Sequence, residues 1–180
     1  MAILDLVRVS LDKASKTGIS ADTETVRKIT ASLDRIEPQR AKYIASFAYV
    51  LSRAARADLR ITPEEVRAME QVVMKIGGLP EEQAILVVQM AKTQNILFGS
   101  TENFLVTREF NEMASHEDKL ALLECLFAVT ASDDSISTVE DAEISQIAEE
   151  LKIERKEYIA VRSRFRDRLS VLKDSRDLKS

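Results

Sequence analysis

Residues 58–65 read DLRITPEE, and residues 133–140, DDSISTVE, repeat their pattern 75 positions further along the chain. Both stretches carry an aspartate, an isoleucine three positions later, a threonine or serine beside it, and a glutamate four positions after the isoleucine. Each stretch follows one segment of helical periodicity and precedes another. The repeat therefore predicts a duplicated helix hairpin with one copy of the pattern at each bend.

The hydroxyl and the glutamate of each stretch have the spacing of a capping box, in which both side chains accept hydrogen bonds from backbone N–H groups at a helix start. Thr62 pairs with Glu65 in the first copy, and Ser137 pairs with Glu140 in the second. Pro63 suits the first position of a helix because its missing N–H is not needed there. The pattern predicts helices that begin at residues 63 and 138, each preceded by an isoleucine that acts as a hydrophobic staple.

The composition of the chain favours helices throughout. Its 180 residues include 4 glycines, 3 prolines and no tryptophan, and they are rich in alanine, leucine, glutamate, lysine and arginine. A chain of this length buries roughly 70% of its unfolded surface on folding, so its core needs no disulfide or structural metal. We predict an all-α fold, a compact multi-helix bundle of antiparallel helix hairpins with an internal pseudo-twofold repeat.

Turn-forming residues divide the chain. Glycine, serine, threonine and asparagine cluster in residues 94–103, which we place at the midpoint of a main domain over 38–173. The predicted parts are an N-terminal helical pair packed on the core at 1–37, a first repeat at about 38–93, a second repeat at about 104–173, and a frayed tail at 174–180.

Charge and hydropathy exclude several classes of protein. A net charge of −4 and a pI of about 5.3 argue against nucleic-acid binding, which requires a basic surface. No apolar run approaches the roughly 18–20 residues of a membrane-spanning helix. The single cysteine, Cys125, lies in an apolar run and is predicted to be a buried thiol. These features predict a cytoplasmic protein.

Residues suited to catalysis are scarce. The single histidine, His116, follows Ser115 at a predicted helix start, where we expect a solvated imidazole rather than a catalytic base. The chain lacks a phosphate-binding glycine loop, and it has no tryptophan to form a sugar platform beside paired carboxylates. We predict that the protein is not an enzyme.

Asp58 and Asp133 stand near the C-terminal ends of helices, where the helix dipole disfavours a negative charge by about 0.3–1 kcal/mol. Two interpretations remain open for both residues. Each aspartate forms an Asx-turn with the connecting backbone, or each shares a divalent cation with the glutamate that begins the next helix. Ca²⁺ and Mg²⁺ are the expected ions because both prefer oxygen ligands.

The two copies differ in charge. Four arginines near the first copy are able to pair with Asp58, Glu64 and Glu65, namely Arg53, Arg56, Arg60 and Arg67. Between Lys119 and Lys152 the second copy has no basic residue but eight acidic ones, namely Glu124, Asp133, Asp134, Glu140, Asp141, Glu143, Glu149 and Glu150. A solvated acidic face and a cation site both account for this charge. If one copy alone binds a cation, we expect it to be the second.

Residues 54–65, AARADLRITPEE, and residues 130–140, TASDDSISTVE, together resemble the TerB-like family of tellurite-resistance and stress-associated proteins. The hallmark of that family is an alanine-rich helix end, Asp-Gly, an Ile-Ser or Ile-Thr pair, and a glutamate. Residues 147–153, IAEELKI, look like the helix end that precedes the last helix of the family. The resemblance covers about residues 40–170.

This resemblance implies a compact helical domain with acidic residues near a pseudo-twofold axis, a divalent-cation role, and no known enzymatic activity. By position, the implied ligands are Asp58, Glu65, Asp133 and Glu140, with Asp134 beside them in the place of the family's glycine. Asp tolerates the left-handed backbone that suits glycine, whereas Leu59 does not. We therefore expect a remodelled turn without metal in the first copy and a family-like turn in the second.

The family is also linked to membrane-associated stress complexes, so the resemblance implies protein partners and allows a peripheral membrane complex. The alternative function is a metal-free scaffold for protein interactions, in which the acidic motif is only helix-capping structure. Its binding features are the last helix, where Arg162, Arg166 and Arg168 flank an apolar stripe, and the N-terminal helix. Contact between the acidic second repeat and this basic helix in another molecule would give a homodimer.

Overall fold

The computed structural model of the chain describes residues 4–5, 9, 20–55, 62–93, 103–133 and 135–169. These residues form an all-α fold, as predicted. Its helices are α1 (Ser20–Leu33), α2 (Pro38–Ala55), α3 (Pro63–Lys75), α4 (Glu81–Lys92), α5 (Asn103–Met113), α6 (His116–Thr130), α7 (Thr138–Glu150) and α8 (Arg155–Arg164), with 3₁₀ turns at Ala131–Asp133 and Arg166–Arg168. None of the described helices is long and apolar enough to cross a membrane.

Helix boundaries follow the 75-residue offset of the sequence pattern. Helices α3 and α7 are both 13 residues long, and they begin at residues 63 and 138. Their N-caps, Thr62 and Ser137, have φ/ψ angles of −67°/159° and −67°/160°, and both form complete capping boxes. The predicted helix starts are confirmed because hydrogen bonds within four residues decide them.

The core is centred on α2 and α6. In α2, every residue from Tyr43 to Ala54 is buried, whereas the sequence pattern predicts only one apolar stripe. Polar Ser46, Ser52 and Arg53 are enclosed with the apolar side chains because neighbouring helices surround α2. A helix that is apolar on nearly all sides belongs in the centre of a bundle.

The two predicted repeats contact each other in a reciprocal manner. Helix α2 packs against α7, and α6 packs against α3, so the helix that follows each motif contacts the helix that precedes the other motif. Within each repeat, α2 contacts α4 and α6 contacts α8. These contacts are those expected of a duplicated hairpin, and the pseudo-twofold relation between the copies remains a prediction.

Helix α5 begins the predicted second repeat and packs on both α2 and α7. Phe110 of α5 joins an aromatic group of α2, with its ring centroid 5.2 Å from that of Tyr43 and 6.2 Å from that of Phe47. Aromatic pairs at such distances contribute about 0.5–1.5 kcal/mol beyond the burial of their surface. These contacts hold α5 against the core.

The bends after α3 and α7 are formed differently. After α3, Gly78 has a φ of +67°, and a Cβ added to Gly77 would lie 2.5 Å from the carbonyl oxygen of Val73. After α7, Lys152 takes the left-handed conformation with a φ of 58°. Its N–H donates to the Glu149 carbonyl, and the N–H of residue 153 donates to the carbonyl of residue 148, which is a Schellman motif.

The last helix is shorter than predicted. The apolar spacing predicts a helix from about 154 to 173, but α8 ends at Arg164 and a 3₁₀ turn follows. The backbone then becomes extended, and Leu169 forms a parallel bridge with Ile136. The Ile136 N–H donates to the Arg168 carbonyl at 2.7 Å, and both bridged side chains are buried. This long-range pairing overrides the local helical pattern.

The N-terminal part of the chain is only partly described. Leu4, Asp5 and Val9 are helical, and α1 packs against α4. The remainder of the first predicted helix, the predicted loop over 94–102 and the tail over 174–180 lie outside the described residues. The division of the chain into an N-terminal pair and a two-repeat domain therefore stays a prediction.

Candidate functional site

The second copy of the motif forms a turn between α6 and α7 that is tied to the C-terminal segment. Helix α6 ends at Thr130, a 3₁₀ turn covers Ala131–Asp133, and Ser137 caps α7. Between these elements, Ile136 is 1% exposed and pairs with the segment after α8. This backbone pairing and the burial of Ile136 fix the position of the segment just before α7.

Glu140 places its carboxylate at the start of α7. Its Oε2 accepts hydrogen bonds from the Ser137 N–H at 2.8 Å and from the Ser137 hydroxyl at 2.7 Å. Its second oxygen, Oε1, accepts no hydrogen bond from the described part of the chain. The capping box therefore occupies one of the two oxygens of Glu140.

Glu65 has the equivalent place in the first copy. Its Oε2 accepts a hydrogen bond from the Thr62 N–H at 2.5 Å, and the Glu65 N–H donates to the Thr62 hydroxyl. The hydrogen bond from the Thr62 backbone, followed by that from its side chain, lowers the pKa of Glu65 below its ordinary value. Glu65 is therefore held in its ionised form by helix capping.

The remaining sequence-predicted ligands cannot be placed relative to the two glutamates. Asp58 and Asp134 lie outside the described residues, and only the backbone of Asp133 is described. Within the described ranges, no group of three or more His, Cys, Asp or Glu side chains is arranged to hold a metal ion. A cation site formed by Asp58, Glu65, Asp133, Asp134 and Glu140 remains a prediction.

Four of the eight acidic residues of the second copy form ion pairs with arginines from other parts of the chain. Glu143 and Glu150 bind Arg53, Asp141 binds Arg162, and Glu124 binds Arg164. All three arginines come from outside the segment between Lys119 and Lys152. Folding therefore supplies the positive charge that the local sequence lacks.

Arg53 forms a buried ionic cluster with Thr107, Glu143 and Glu150, and among the described residues it does not pair with Glu64 or Glu65, the nearby acidic residues of the first copy. Its Nη1 donates to Glu150 Oε2 and to Thr107 Oγ1, both at 2.7 Å, and its Nε donates to Glu143 Oε1 at 2.9 Å. Only 2% of its side chain is exposed. This ionic cluster joins α2 to α5 and α7.

Mutual electrostatic stabilisation maintains the charges of the ionic cluster. Burial raises the pKa of Glu150, but hydrogen bonds from Arg53 and Thr107 and the charge of Arg53 outweigh it, so the pKa lies below 4.5. Burial lowers the pKa of Arg53, and its bonds to Glu150 and Glu143 more than reverse that effect. The sequence signal for this cluster was Arg53 itself, which is a single arginine among small and apolar residues near the end of α2.

A family model described as tellurite resistance protein TerB matches residues 43–163. The matched region contains both motif turns and the ionic cluster, and it covers more than half of the chain. The chain belongs to the TerB family. No curated protein and no solved structure matched the sequence.

In this TerB domain, α8 is attached to the core by polar and aromatic contacts. Arg162 binds Asp141 of α7 in a bidentate manner, with its Nε 2.9 Å from Oδ1, and the Tyr158 hydroxyl donates to the same carboxylate at 3.3 Å. Phe165 stacks on Phe127 of α6 with ring centroids 5.6 Å apart. These contacts make Arg162 part of the structure of the TerB domain.

The two residues considered for catalysis are His116 at the surface and Cys125 in the core. His116 is exposed, and its Nε2 lies 2.7 Å from Glu157 Oε1 at the start of α8. Cys125 is fully buried, and burial raises its thiol pKa to about 12. The nucleophilic thiolate is thus strongly disfavoured at neutral pH. The predictions of an exposed His116 and a buried Cys125 are confirmed.

Proposed function

We propose that this TerB domain is a non-catalytic module that binds other proteins in a cytoplasmic stress-response assembly. The observation that carries this proposal is the exposure of two large apolar side chains on the last hairpin, Val139 of α7 at 50% and Ile159 of α8 at 52%. The Asp141–Arg162 ion pair holds the two helices together, so they offer a rigid surface. Exposed apolar side chains on rigid helices suit a protein interface.

The environment of the reactive side chains supports a non-catalytic role. Glu65 and Glu140 cap helices, His116 contacts Glu157, and Cys125 is buried with a raised pKa. Catalytic acids, bases and nucleophiles need pKa values matched to their reaction and access to a substrate. These side chains instead serve the structure of the domain.

Photo-crosslinking in cells would test the protein-binding role. A benzoylphenylalanine replaces Ala160, which is exposed beside Ile159 on α8, and in a control chain it replaces Ala68, which is exposed on α3. We expect discrete protein adducts from position 160 that increase when the cells are exposed to tellurite. We expect none from position 68. Equal labelling from both positions, or none from either, would contradict the proposal.

A divalent cation at the second motif is a second proposed function. It is supported by Oε1 of Glu140, which accepts no hydrogen bond from the described residues, and by the backbone bond that holds Ile136 before the helix start. Asp133 and Asp134 precede Glu140 in that turn and would supply further oxygen ligands to Ca²⁺ or Mg²⁺. Asp58 and Glu65 are the corresponding residues of the first copy, where Leu59 disfavours the same turn.

Calorimetric titration with Ca²⁺, Mg²⁺, Mn²⁺ and Zn²⁺ would test the cation site. We expect weak binding that Asp133→Asn abolishes and that the matched variant Asp58→Asn leaves nearly unchanged. The melting temperature should rise with the bound ion, because a ligand that binds only the folded state stabilises it. No heat and no change in melting temperature with any of the four ions would rule the site out.

A further inference from the structure

The side of α8 that faces solvent carries an apolar residue among basic ones. Arg164, which is exposed, binds Glu124, and the other five exposed residues of α8 recur on one side of the helix. We call these five the outer face of α8, namely Arg155, Lys156, Ile159, Ala160 and Ser163. The opposite side already has its contacts, with Val161 buried and Tyr158 and Phe165 packed on Phe127. The core therefore does not use Ile159.

Positive charge is concentrated around this face. Residues 155–168 contain six basic and two acidic residues, a net charge of +4 in a chain of net charge −4. Asp141 binds Arg162, and Glu124 binds Arg164. Glu154 binds Lys156 at 2.8 Å. Arg155 and Arg166 are exposed and form no ion pair with any residue of the described ranges. These two guanidinium groups are thus available to an external carboxylate.

Arg155 and Lys156 also occupy an unfavourable position for helix stability. They are the first two residues of α8, where the helix dipole disfavours positive charge by about 0.3–1 kcal/mol. The Glu154–Glu157 capping box offsets part of this cost. Arg155 and Lys156 have positions that the helix dipole disfavours, and they lie near the exposed Ile159. A role in binding explains these positions better than a role in folding.

We infer that the outer face of α8, together with Arg166, docks an acidic amphipathic helix of a partner protein. Ile159 would pack on the apolar stripe of the partner, while Arg155 and Arg166 would pair with carboxylates at its two ends. A helical rise of about 1.5 Å per residue puts Arg155 and Arg166 roughly 15 Å apart, which is the length of about ten residues of a facing helix. This inference rests on the proposed protein-binding function and names its surface and its class of partner.

Two other occupants fit the surface less well. A membrane-surface helix buries several large apolar side chains, and the outer face of α8 offers only Ile159. A second copy of the chain would not offer Asp141, Glu143 or Glu150 of its second repeat to this face, because arginines of the same chain already bind these carboxylates. An acidic amphipathic helix matches both features of the face, the exposed Ile159 and the guanidinium groups of Arg155 and Arg166.

A labelled synthetic peptide would test the inference on the full-length chain by fluorescence anisotropy. The probe is an amphipathic helix with two rows of glutamates beside a leucine stripe, and its counterpart carries lysines in place of the glutamates. We expect binding of the acidic peptide alone. Ile159→Asp should weaken that binding by about tenfold, because packing of a half-exposed isoleucine would be lost. Arg155→Glu combined with Arg166→Glu should abolish it.

The matched control combines Arg27→Glu with Arg67→Glu, which changes the net charge equally on exposed positions of α1 and α3. This control should bind like the wild-type chain, and all variants should keep the wild-type melting temperature. Failure of the wild-type chain to bind the peptide, or an equal loss in the control, would overturn the inference. So would preferential binding to anionic vesicles, or self-association that Ile159→Asp abolishes.

The peptide and crosslinking experiments separate the two levels of the proposal. Adducts from position 160 without peptide binding would refute an acidic partner and leave the protein-binding function intact. Absence of both signals would refute the inference together with the protein-binding function.

Discussion

Glu65 and Glu140 have equivalent places in the two copies of the motif, and both carboxylates accept a hydrogen bond from the backbone N–H of the cap residue. Thr62 and Ser137 have the same backbone conformation within 1°. Sequence spacing predicts these geometries well because every atom involved lies within four residues. The same spacing gives no information about whether the second oxygen of Glu140 has a ligand, since that depends on groups outside the box.

Removal of either cap should weaken the fold by a similar amount. We expect Thr62→Ala and Ser137→Ala each to lower the free energy of unfolding by about 1 kcal/mol, because a helix-terminal N–H loses its acceptor. Urea unfolding would measure the change. Ser163→Ala is the control, since this exposed serine lies within α8 and bonds only the carbonyl of residue 160. A cap substitution with no more effect than Ser163→Ala would show that the box does not stabilise its helix.

Cys125 should react as a buried thiol. Its pKa of about 12 and full burial predict very slow labelling by iodoacetamide at pH 8 in the folded state. Labelling should become rapid in concentrated urea, where the thiol is exposed. Mass spectrometry would measure the labelling rate. Rapid modification of Cys125 in the folded protein would contradict both its burial and its structural role.

At the scale of helices, the ionic cluster decides how α7 lies against α2 and α5. Arg53 is 90 residues from Glu143 and 97 residues from Glu150 in the chain, and no local pattern joins them. A buried ion pair is costly to desolvate, so its net contribution to stability is small even though the loss of one partner is severe. We expect this cluster to specify the position of α7 more than to increase stability.

Neutralising both Glu143 and Glu150 should reveal the cost of burying Arg53 without a partner. Combined Glu143→Gln and Glu150→Gln leave the buried Arg53 guanidinium without a counter-charge, and the free energy of unfolding should fall by about 3–5 kcal/mol. Glu124→Gln is the matched control, because it breaks an ion pair whose arginine side chain is 60% exposed, and its effect should stay below about 1 kcal/mol. Chemical denaturation would compare them, and equal losses would contradict a special role for the buried cluster.

For the whole molecule, the reciprocal packing of the two repeats does not extend to their charges. Under the 75-residue offset, Arg53, Glu143 and Glu150 correspond to Ala128, Ala68 and Lys75, so the ionic cluster exists on one side of the bundle only. The repeats therefore share the bounds of the helix after each motif and the reciprocal contacts, but they differ in the charged groups that hold them together. We expect the side with the ionic cluster to be the more sensitive to pH.

Acid should destabilise the fold partly through Glu150. Its pKa in the folded state lies below 4.5, so the ionised form stabilises the protein above that pH, and this contribution is lost as the pH falls through the folded pKa. Melting temperatures of the wild-type chain should therefore fall more steeply below about pH 4.5 than those of Glu150→Gln. Glu65 and Glu157, whose pKa values are also lowered, keep some pH dependence in the variant. Parallel curves would show that Glu150 does not contribute.

Sequence patterns alone account for the all-α fold, the capped starts of α3 and α7, the buried Cys125 and the TerB membership. These features follow from capping, helical periodicity and motif spacing, which are local interactions or short patterns. The partners of Arg53 and Arg162, and the end of α8 at Arg164, depended on contacts between segments far apart in the chain. Charge pairing and strand-like bridging across such distances arise only when the helices pack, because the energy of each contact depends on position and burial in the folded molecule.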